Sequence, residues 1–321
     1  MKPLIVIAGP TAVGKSDLAI RLAKTIGGSI ISADSMQVYR GMDIGSAKIK
    51  SEEMDRIPHY LIDCIRPDQA WNVTIFQKRA REAMGEIYAC GRIPILVGGT
   101  GFYIQALTRD ICFTPVREDP EFRREMDLLA REEGEKALHD RLSLVDPEAA
   151  AQIHAHNVKR VIRALEFYHT SGQRISDHNA RERGKKSPYQ LAYLVLTQDR
   201  QTLYDRIDRR VDRMMEEGLL EEVMALKRAG YHRGMVSMQG LGYKELLSYL
   251  DGQISLDQAV YEIKRDTRHF AKRQLTWFKR EEDSIWIDKS RLGNDEDLVL
   301  DRVLEILRER DIYGSDARDV R

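Results

Sequence analysis

The sequence predicts an α/β fold in which a parallel sheet is flanked by helices and interrupted by an inserted all-helical domain. Three observations support this prediction: short apolar strands alternate with helical patterns, the alternation stops over one internal stretch, and a glycine-rich loop follows the first strand. Apolar or β-branched runs recur at 4–8, 29–33, 60–62, 94–97, 191–196 and 284–287. This rhythm is typical of a parallel sheet covered by helices.

The strand rhythm is interrupted from about residue 118 to 188, where the patterns are helical, as in the segments that begin at Pro120 and Asn157. We therefore predict a core of residues 1–117 and 189–321, whose C-terminal part is helical, and an inserted helical domain of residues 118–188. A chain of 321 residues is long enough for two domains. Helix starts are expected near Asp199 and Ser255, where short polar side chains can cap.

The loop after the first strand, GPTAVGKS at 9–16, matches the phosphate-loop pattern at every required position. Gly9 and Gly14 allow backbone N–H groups to turn toward an anion. Lys15 can neutralise phosphate charge, and the Ser16 hydroxyl can ligate Mg²⁺. A glycine-rich turn without a ligand is the alternative, but the order strand, loop, helix favours a polyphosphate site in a P-loop NTPase-like core.

Basic and acidic residues balance overall, at 51 each. The balance conceals a polarity, because residues 159–280 contain 24 lysines and arginines against 16 acidic residues. Such a surplus can be the footprint of a polyanion, or it can consist of solvated helix faces with paired charges. Charge alone does not distinguish these two interpretations.

The composition also bears on location and on metal or disulfide chemistry. No apolar run is long enough to span a bilayer, and the first strand ends too early for a signal peptide. Cys64, Cys90 and Cys112 show neither a disulfide framework nor zinc-ligand spacing, and we interpret them as buried or bystander thiols. We therefore expect a cytoplasmic enzyme.

Polar side chains follow two of the predicted strands. Asp34 comes after the second strand, and Thr100 follows the strand at 94–97. Because ligands of open α/β sheets bind at the carboxyl ends of the strands, we expect both residues to face the same crevice as Lys15. A carboxylate there can act as a general base, and a hydroxyl can donate to a leaving oxygen. Asp34 can equally be the N-cap of a helix or orient a Mg²⁺ ligand, and Thr100 can cap the helix that starts near Phe102.

Several ordered motifs together resemble one known family. They are GPTAVGKS at 9–16, DSMQVY at 34–39, GMDIGSAK at 41–48, PHYLID at 58–63, GGTGFY at 98–103, and stretches at 157–166, 206–214 with 218–219, 240–245 and 267–278. The set resembles the tRNA dimethylallyltransferase (tRNA isopentenyltransferase) family, in its compact bacterial form without a zinc-finger extension. The resemblance reaches to about residue 290, and Ser46 and Tyr60, where the family often has threonine and histidine, are minor departures.

The resemblance implies that the loop holds the diphosphate of dimethylallyl diphosphate, which is a leaving group. The implied acceptor is N6 of the adenosine immediately 3′ of the tRNA anticodon. The implied catalytic residues are Asp34 as the base, Thr100 as the donor to the bridging oxygen, and Arg210 as a diphosphate ligand. Without the resemblance, Arg210 would be interpreted as the partner of Asp205 or Asp208 in a surface ion pair.

Two sets of contacts follow from the same resemblance. The diphosphate-binding set is Gly9, Thr11, Ala12, Gly14, Lys15, Ser16 and Arg210, and Ser16 is also expected to ligate the Mg²⁺ cofactor. The tRNA-binding set is Ser35, Gln37, Lys159, Arg160, Arg163, Gly242, Lys244, Arg268, Lys272 and Arg273. They are expected to hold the anticodon stem-loop, whose unstacked bases suit sequence-specific recognition. We expect a monomer with no membrane partner.

Two other classes of protein share parts of this pattern. A P-loop kinase for small molecules or nucleotides predicts ATP binding, but only Leu61-Ile62-Asp63 resembles a strand that ends in a Mg²⁺-holding aspartate. A non-catalytic RNA-binding protein predicts RNA affinity without any need for a diphosphate. The complete phosphate loop argues against this second class.

Overall fold

The computed structural model describes residues 1–113 and 119–314. It divides into two compact units: one comprises residues 1–108 and the chain from Ser187 onward, and the other is Arg109–Lys186. The predicted boundary between residues 117 and 118 lies outside the described residues. The other predicted boundary, between 188 and 189, lies close to the start of the second part of the first unit.

The first unit contains a parallel sheet, which confirms the predicted α/β class. Within the described residues its six strands are β1 (Pro3–Ala8), β2 (Gly28–Ser32), β3 (His59–Tyr60), β4 (Ile93–Gly98), β5 (Gln190–Thr197) and β6 (Ser284–Asp288). Their order across the sheet is β3-β2-β4-β1-β5-β6, and neighbouring strands are parallel. Each strand overlaps a predicted apolar run. The inner strands β1, β2, β4 and β5 are mostly buried, and strands buried on both faces have near-continuous apolar sequences, whereas the edge strands β3 and β6 are only partly buried.

Thirteen α-helices are found in the described residues. They are α1 (Lys15–Ile26), α2 (Val73–Ala89), α3 (Gly101–Thr108), α4 (Pro120–Glu132), α5 (Glu135–Val145), α6 (Pro147–Gln152), α7 (Val158–Ser171), α8 (Ile175–Arg183), α9 (Arg200–Glu216), α10 (Leu219–Arg228), α11 (Tyr243–Leu250), α12 (Leu256–Phe278) and α13 (Glu296–Glu309). The predicted caps are confirmed at Asp199, which accepts from the Thr202 N–H, and at Ser255, which accepts from the Gln258 N–H. Helices α4–α8 form the second unit, and the others belong to the first.

Alternate side chains of β1 enter two different hydrophobic cores. Leu4 and Val6 pack in the core that includes Phe76 of α2, whereas Ile5 and Ile7 pack in the core that includes Leu18 of α1. This period of two is the geometry of a strand covered by helices on both faces. The second unit has a core of its own, formed by helical residues that include Met126, Leu138, Leu142, Val161 and Leu165.

The order of the strands determines which loops become neighbours. Strand β4 lies between β2 and β1, and β5 lies on the other side of β1. The loops that follow β2, β4 and β1 are those that carry Asp34, Thr100 and the phosphate loop. All three loops therefore leave the sheet at its carboxyl edge, beside one another.

Two smaller expectations can be compared with the structure. Cys64 is half-buried and Cys90 and Cys112 are exposed, and all three cysteines are free, which agrees with the expected absence of a disulfide framework among them. Among the described residues, no helix has the length and apolar character needed to cross a membrane.

Candidate functional site

The phosphate loop takes backbone conformations that leave little room for side chains. Gly9 has a φ of +147°, and a Cβ there would lie 2.6 Å from the carbonyl oxygen of Leu196. Ala12, with a φ of +65°, and Gly14, with a φ of +97°, lie in the left-handed region. The sequence motif therefore folds into a tightly turned loop that leads into the N-terminus of α1, where an anion is favoured.

Side-chain hydrogen bonds hold the loop in place, three of them around its first turn and Lys15. The Lys15 Nζ donates to the Pro10 carbonyl at 2.7 Å. The Thr11 N–H donates to Oε1 of Gln274 at 2.9 Å, and Nη1 of Arg210 donates to the Thr11 hydroxyl at 3.3 Å. Arg210 therefore lies against the loop, although 199 residues separate it from Thr11 in the sequence.

The surface-pair interpretation of Arg210 is not what the structure shows. Asp208 instead pairs with Arg268 at 2.5 Å, and Asp205 accepts a hydrogen bond from Gln201. Arg210 is spaced four residues after Arg206 on α9, which places both guanidinium groups on the same face of that helix. This face is turned toward the phosphate loop, since Nη1 of Arg210 reaches Thr11.

The site concentrates positive charge in a poorly solvated place. Burial, followed by the positive charge of Arg210, lowers the pKa of Lys15 to about 7, although nearby Asp34 acts in the opposite direction. Burial and then Arg206 likewise lower the pKa of the Arg210 guanidinium. Cations held close together, with only partial compensation by nearby carboxylates, are a site prepared for a multiply charged anion.

Asp34 has one of its two carboxylate oxygens occupied by the backbone. Its Oδ1 accepts the N–H of Met36 at 2.8 Å and that of Gln37 at 3.4 Å. No helix of the described chain begins at Asp34, so the helix-cap alternative was wrong, and this oxygen caps a turn instead. Because Oδ2 has no such partner among the described residues, the same side chain can still accept a proton. Its charge acts on both Lys15 and Arg210, which places it in the same crevice.

Thr100 is attached directly to the segment that carries Asp34. The Thr100 N–H donates to the carbonyl oxygen of Ala33 at 3.3 Å, and the Ala33 N–H donates to Val97 at 2.7 Å. A Cβ at Gly98 would lie 2.3 Å from the same Ala33 oxygen, so the two chain segments touch. Within the described part of the chain, the Thr100 hydroxyl makes no hydrogen bond to another residue, and it is half-buried.

Gln274 of α12 links the two loops, and sequence reasoning missed it as a functional residue. Its Oε1 accepts from Thr11, and its Nε2 donates to the Gly99 carbonyl at 2.9 Å. The side chain is only 6% exposed, and a Cβ at Gly99 would lie 2.1 Å from Nε2. The available signal was a glutamine inside a helical stretch that belongs to the quoted motif at 267–278.

A second clamp orders the loop after Asp34. Glu222 of α10 accepts the backbone N–H groups of Asp43, Ile44 and Gly45 at 2.8–3.2 Å, and it also accepts the Tyr243 hydroxyl at 2.7 Å. Burial, followed by the charge of Glu222, raises the pKa of Tyr243 well above its usual value. A Cβ at Gly45 would lie 2.5 Å from the Tyr243 ring, so only glycine fits.

The ordered loop determines the orientation of Gln37. The Gln37 Nε2 donates to the carbonyl oxygens of Ala47 at 3.3 Å and Ser46 at 3.5 Å, and its Oε1 accepts from the Ser32 hydroxyl at 3.0 Å. The amide is thus engaged by the protein itself, and a base contact by Gln37 would have to replace or share these bonds. Ser35 beside it is half-buried.

Comparison with known proteins identifies the family of a chain with this arrangement. Residues 37–281 match the family model described as IPP transferase. The chain belongs to this family. The matched range includes the loop that follows Asp34, together with Thr100, Arg210 and Gln274. It begins after the phosphate loop and after Asp34 itself.

Individual relatives extend the match over nearly the whole chain. The protein is 55% identical over 312 residues to a tRNA dimethylallyltransferase of Lachnoclostridium phytofermentans, covering 97% of this chain and 99% of the relative. It is 50% identical over 288 residues to that of Carboxydothermus hydrogenoformans, covering 90% of this chain and 92% of the relative. The kinase interpretation is therefore not supported.

Solved structures agree. A full-length tRNA isopentenylpyrophosphate transferase from Bacillus halodurans superimposes with a TM-score of 0.72 at 43% identity, covering 97% of this chain and 98% of that one. A eukaryotic dimethylallyltransferase acting on tRNA superimposes with a TM-score of 0.83 at 29% identity, covering 99% of this chain and 82% of that one.

The remaining predicted tRNA contacts of this IPP transferase differ in their availability. Arg268 is neutralised by Asp208, and Lys244 lies 3.3 Å from Glu245. The Gly242 N–H is taken by Glu245 at 2.9 Å, so Gly242 serves as the start of α11. In the described part of the chain these residues are therefore engaged by local contacts, and their contact with tRNA stays a prediction.

Other cations in the predicted tRNA-binding set have exposed side chains. Lys272 and Arg273 are exposed on α12, where the Arg273 guanidinium lies 5.8 Å from the Phe270 ring centre. In the second unit, Lys159, Arg160 and Arg163 are exposed along α7. Exposed cations without an acidic partner are those that can contact phosphates.

Proposed function

We propose that this chain transfers a dimethylallyl group from dimethylallyl diphosphate to N6 of the adenosine immediately 3′ of a tRNA anticodon, with release of pyrophosphate. One observation carries the proposal: a cationic phosphate loop, a half-engaged carboxylate and an unpaired hydroxyl lie together at one edge of the sheet in a member of the IPP transferase family. The curated relatives named tRNA dimethylallyltransferase support it.

The phosphate loop and two cations would hold the diphosphate. Gly9 and Gly14 allow the loop backbone to approach the phosphate oxygens, while Lys15 and Arg210 neutralise their charge. Arg210 is already directed to the loop through Thr11. Because these cations repel one another in the protein alone, an anion placed between them is favoured.

The proposal includes Mg²⁺ as the cofactor. In the described residues, no group of three or more His, Cys, Asp or Glu side chains could hold a metal ion. Ser16 presents an exposed side chain at the start of α1, and Mg²⁺ typically takes one or two protein ligands together with phosphate oxygens and water. Ser16, together with the oxygens of a bound diphosphate, would therefore suit Mg²⁺. When bound, the ion would supply charge neutralisation for the departing diphosphate.

The transfer itself would use Asp34 and Thr100. N6 forms a bond to C1 of the prenyl chain as the bond from C1 to the bridging oxygen breaks. The nitrogen becomes positive, and Oδ2 of Asp34 takes its proton. The Thr100 hydroxyl donates to the bridging oxygen as it gains negative charge. Backbone bonds to Oδ1 keep the carboxylate oriented during this step.

The tRNA would be held by exposed cations. Lys159, Arg160 and Arg163 on α7 and the pair Lys272 and Arg273 on α12 are exposed. Phosphate contacts of this kind supply affinity and position, while the target base is recognised after it leaves its stack.

The test is the mass of an unmodified tRNA that carries adenosine 3′ of its anticodon, after incubation with the protein, Mg²⁺ and either dimethylallyl diphosphate or ATP. We expect the gain of one C₅H₈ unit with the prenyl donor only, and nuclease digestion should place it on that adenosine. The matched control is the same tRNA with guanosine at that position, which should stay unmodified. No gain with the prenyl donor, or phosphate transferred from ATP, would overturn the proposal.

A further inference from the structure

A buried lysine lies behind the phosphate loop. Lys289, at the start of the short 3₁₀ segment Lys289–Leu292 after β6, has no exposed side-chain surface. Its Nζ donates to the Val13 carbonyl at 3.2 Å and to Oε1 of Glu296 at 2.5 Å. A fully buried lysine is rare and must be paired, so its place against the loop calls for an explanation.

The hydrogen bond to Val13 controls the direction of one loop peptide. In a planar trans peptide the carbonyl and the following N–H point in opposite directions. Lys289 holds the Val13 carbonyl on the buried side of the loop, since its own side chain is inaccessible to solvent. The N–H of Gly14 is therefore directed away from Lys289, toward the open side where an anion can approach.

The Lys289 ammonium group also lies close to the backbone of Gly14. A Cβ at Gly14 would lie 2.9 Å from Nζ of Lys289 and 3.5 Å from Nη2 of Arg206. Gly14 has a φ of +97° and begins α1, so its conformation sets the entry into that helix. Glu296 neutralises Lys289, which would otherwise place an uncompensated charge at the positive end of the helix.

We propose that Lys289 is a positioning residue for diphosphate binding, which keeps the peptide between Val13 and Gly14 turned so that its N–H faces the anion. This inference rests on the proposed function, because it assumes that the loop binds a diphosphate. Lys289 does not touch the ligand; it acts through the Val13 carbonyl. The alternative is a buried ion pair that stabilises the fold only.

The test is calorimetric binding of pyrophosphate with Mg²⁺ to the full-length wild-type protein and to Lys289→Met, each well below its melting temperature. Methionine fills a similar volume but cannot donate to Val13. We expect affinity at least about tenfold weaker in the variant, the scale of a lost charged hydrogen bond. The KM for dimethylallyl diphosphate should rise in parallel, while the KM for tRNA should not change.

Arg291→Met is the matched control, because Arg291 is an exposed cation in the same 3₁₀ segment. This variant should bind pyrophosphate with the affinity of the wild type. Lys289→Leu serves if the methionine variant does not fold, since leucine also has no donor for the Val13 carbonyl; the same weakening is expected. Equal pyrophosphate affinity of the folded variants and the wild type would overturn the inference, even if their melting temperatures fall. A wild-type protein that binds no pyrophosphate would overturn the proposed function as well.

Discussion

Replacement of Gln274 by leucine should separate the phosphate loop from the Thr100 loop without leaving a cavity, since leucine has a similar volume. The change removes two hydrogen bonds of 2.9 Å, one from the Thr11 N–H and one to the Gly99 carbonyl. The bond to Gly99 is buried and the bond from Thr11 is partly buried. A buried backbone group left without a partner costs about 1–3 kcal/mol, so the two losses together cost at most about 2–6 kcal/mol. We expect part of this cost as a lower melting temperature and part as misplacement of the two loops.

The assay is steady-state transfer to tRNA at saturating tRNA and varied dimethylallyl diphosphate. A loss of at least about 1.4 kcal/mol in transition-state stabilisation would lower kcat/KM about tenfold. Gln77→Leu is the matched control, because Gln77 is also a buried glutamine, 5% exposed, and donates to Ala106 in α3. It should lower stability but leave kcat/KM unchanged.

The reasoning about Gln274 would be refuted if Gln274→Leu folded normally and kept kcat/KM within about twofold of the wild type, the range of a neutral surface change. It would equally be refuted if Gln77→Leu lowered kcat/KM as much. In either case the link between the loops would be a packing feature without a role in positioning Thr100.

Three further predictions concern the proton, the anion and the RNA. Asp34→Asn should lower the single-turnover rate at least about a hundredfold, the scale of general-base catalysis, and a normal rate with intact tRNA binding would exclude Asp34 as the base. Because the pKa of Lys15 is about 7 and a bound diphosphate raises it, pyrophosphate binding at pH values above 7 should take up a proton at this lysine. The number of protons taken up can be measured by calorimetry in buffers of different ionisation enthalpy. The Lys15→Arg variant should take up fewer protons than the wild type, because its guanidinium is already charged. Equal proton uptake by the two proteins would contradict the assignment of this proton to Lys15. Finally, simultaneous replacement of the three exposed cations of α7 by alanine should reduce the salt dependence of tRNA binding by about two counterions, and an unchanged slope would remove these residues from the interface. Those cations are Lys159, Arg160 and Arg163.

The parts of the site that follow from local sequence were predictable. A strand, a glycine-rich turn and a helix start are encoded by neighbouring residues, so the phosphate loop and the positions of Asp34 and Thr100 at strand ends could be inferred from the amino-acid sequence alone. The inner strands were predictable because burial on both faces requires continuous apolar runs, which the partly buried edge strands β3 and β6 need less.

The contacts that hold these pieces together were not predictable in the same way. Gln274 lies 263 residues from Thr11, and Lys289 lies 276 residues from Val13, so neither partnership leaves a local pattern. Gln37 shows the opposite difficulty. Its position beside Asp34 suggested a free amide for tRNA, whereas the fold uses that amide to hold the loop at Ala47.

Without Glu222, the loop after Asp34 would lose the acceptor of three backbone N–H groups. Three successive backbone N–H groups, those of Asp43, Ile44 and Gly45, converge on this carboxylate as they would on a bound phosphate. The Glu222 carboxylate thus occupies a concave set of backbone donors of the kind that binds anions. Removal of the carboxylate would leave a second concave set of backbone donors, able to attract inorganic phosphate or an RNA phosphate. Glu222 therefore fills a site that would otherwise favour a competing anion, as well as ordering the loop.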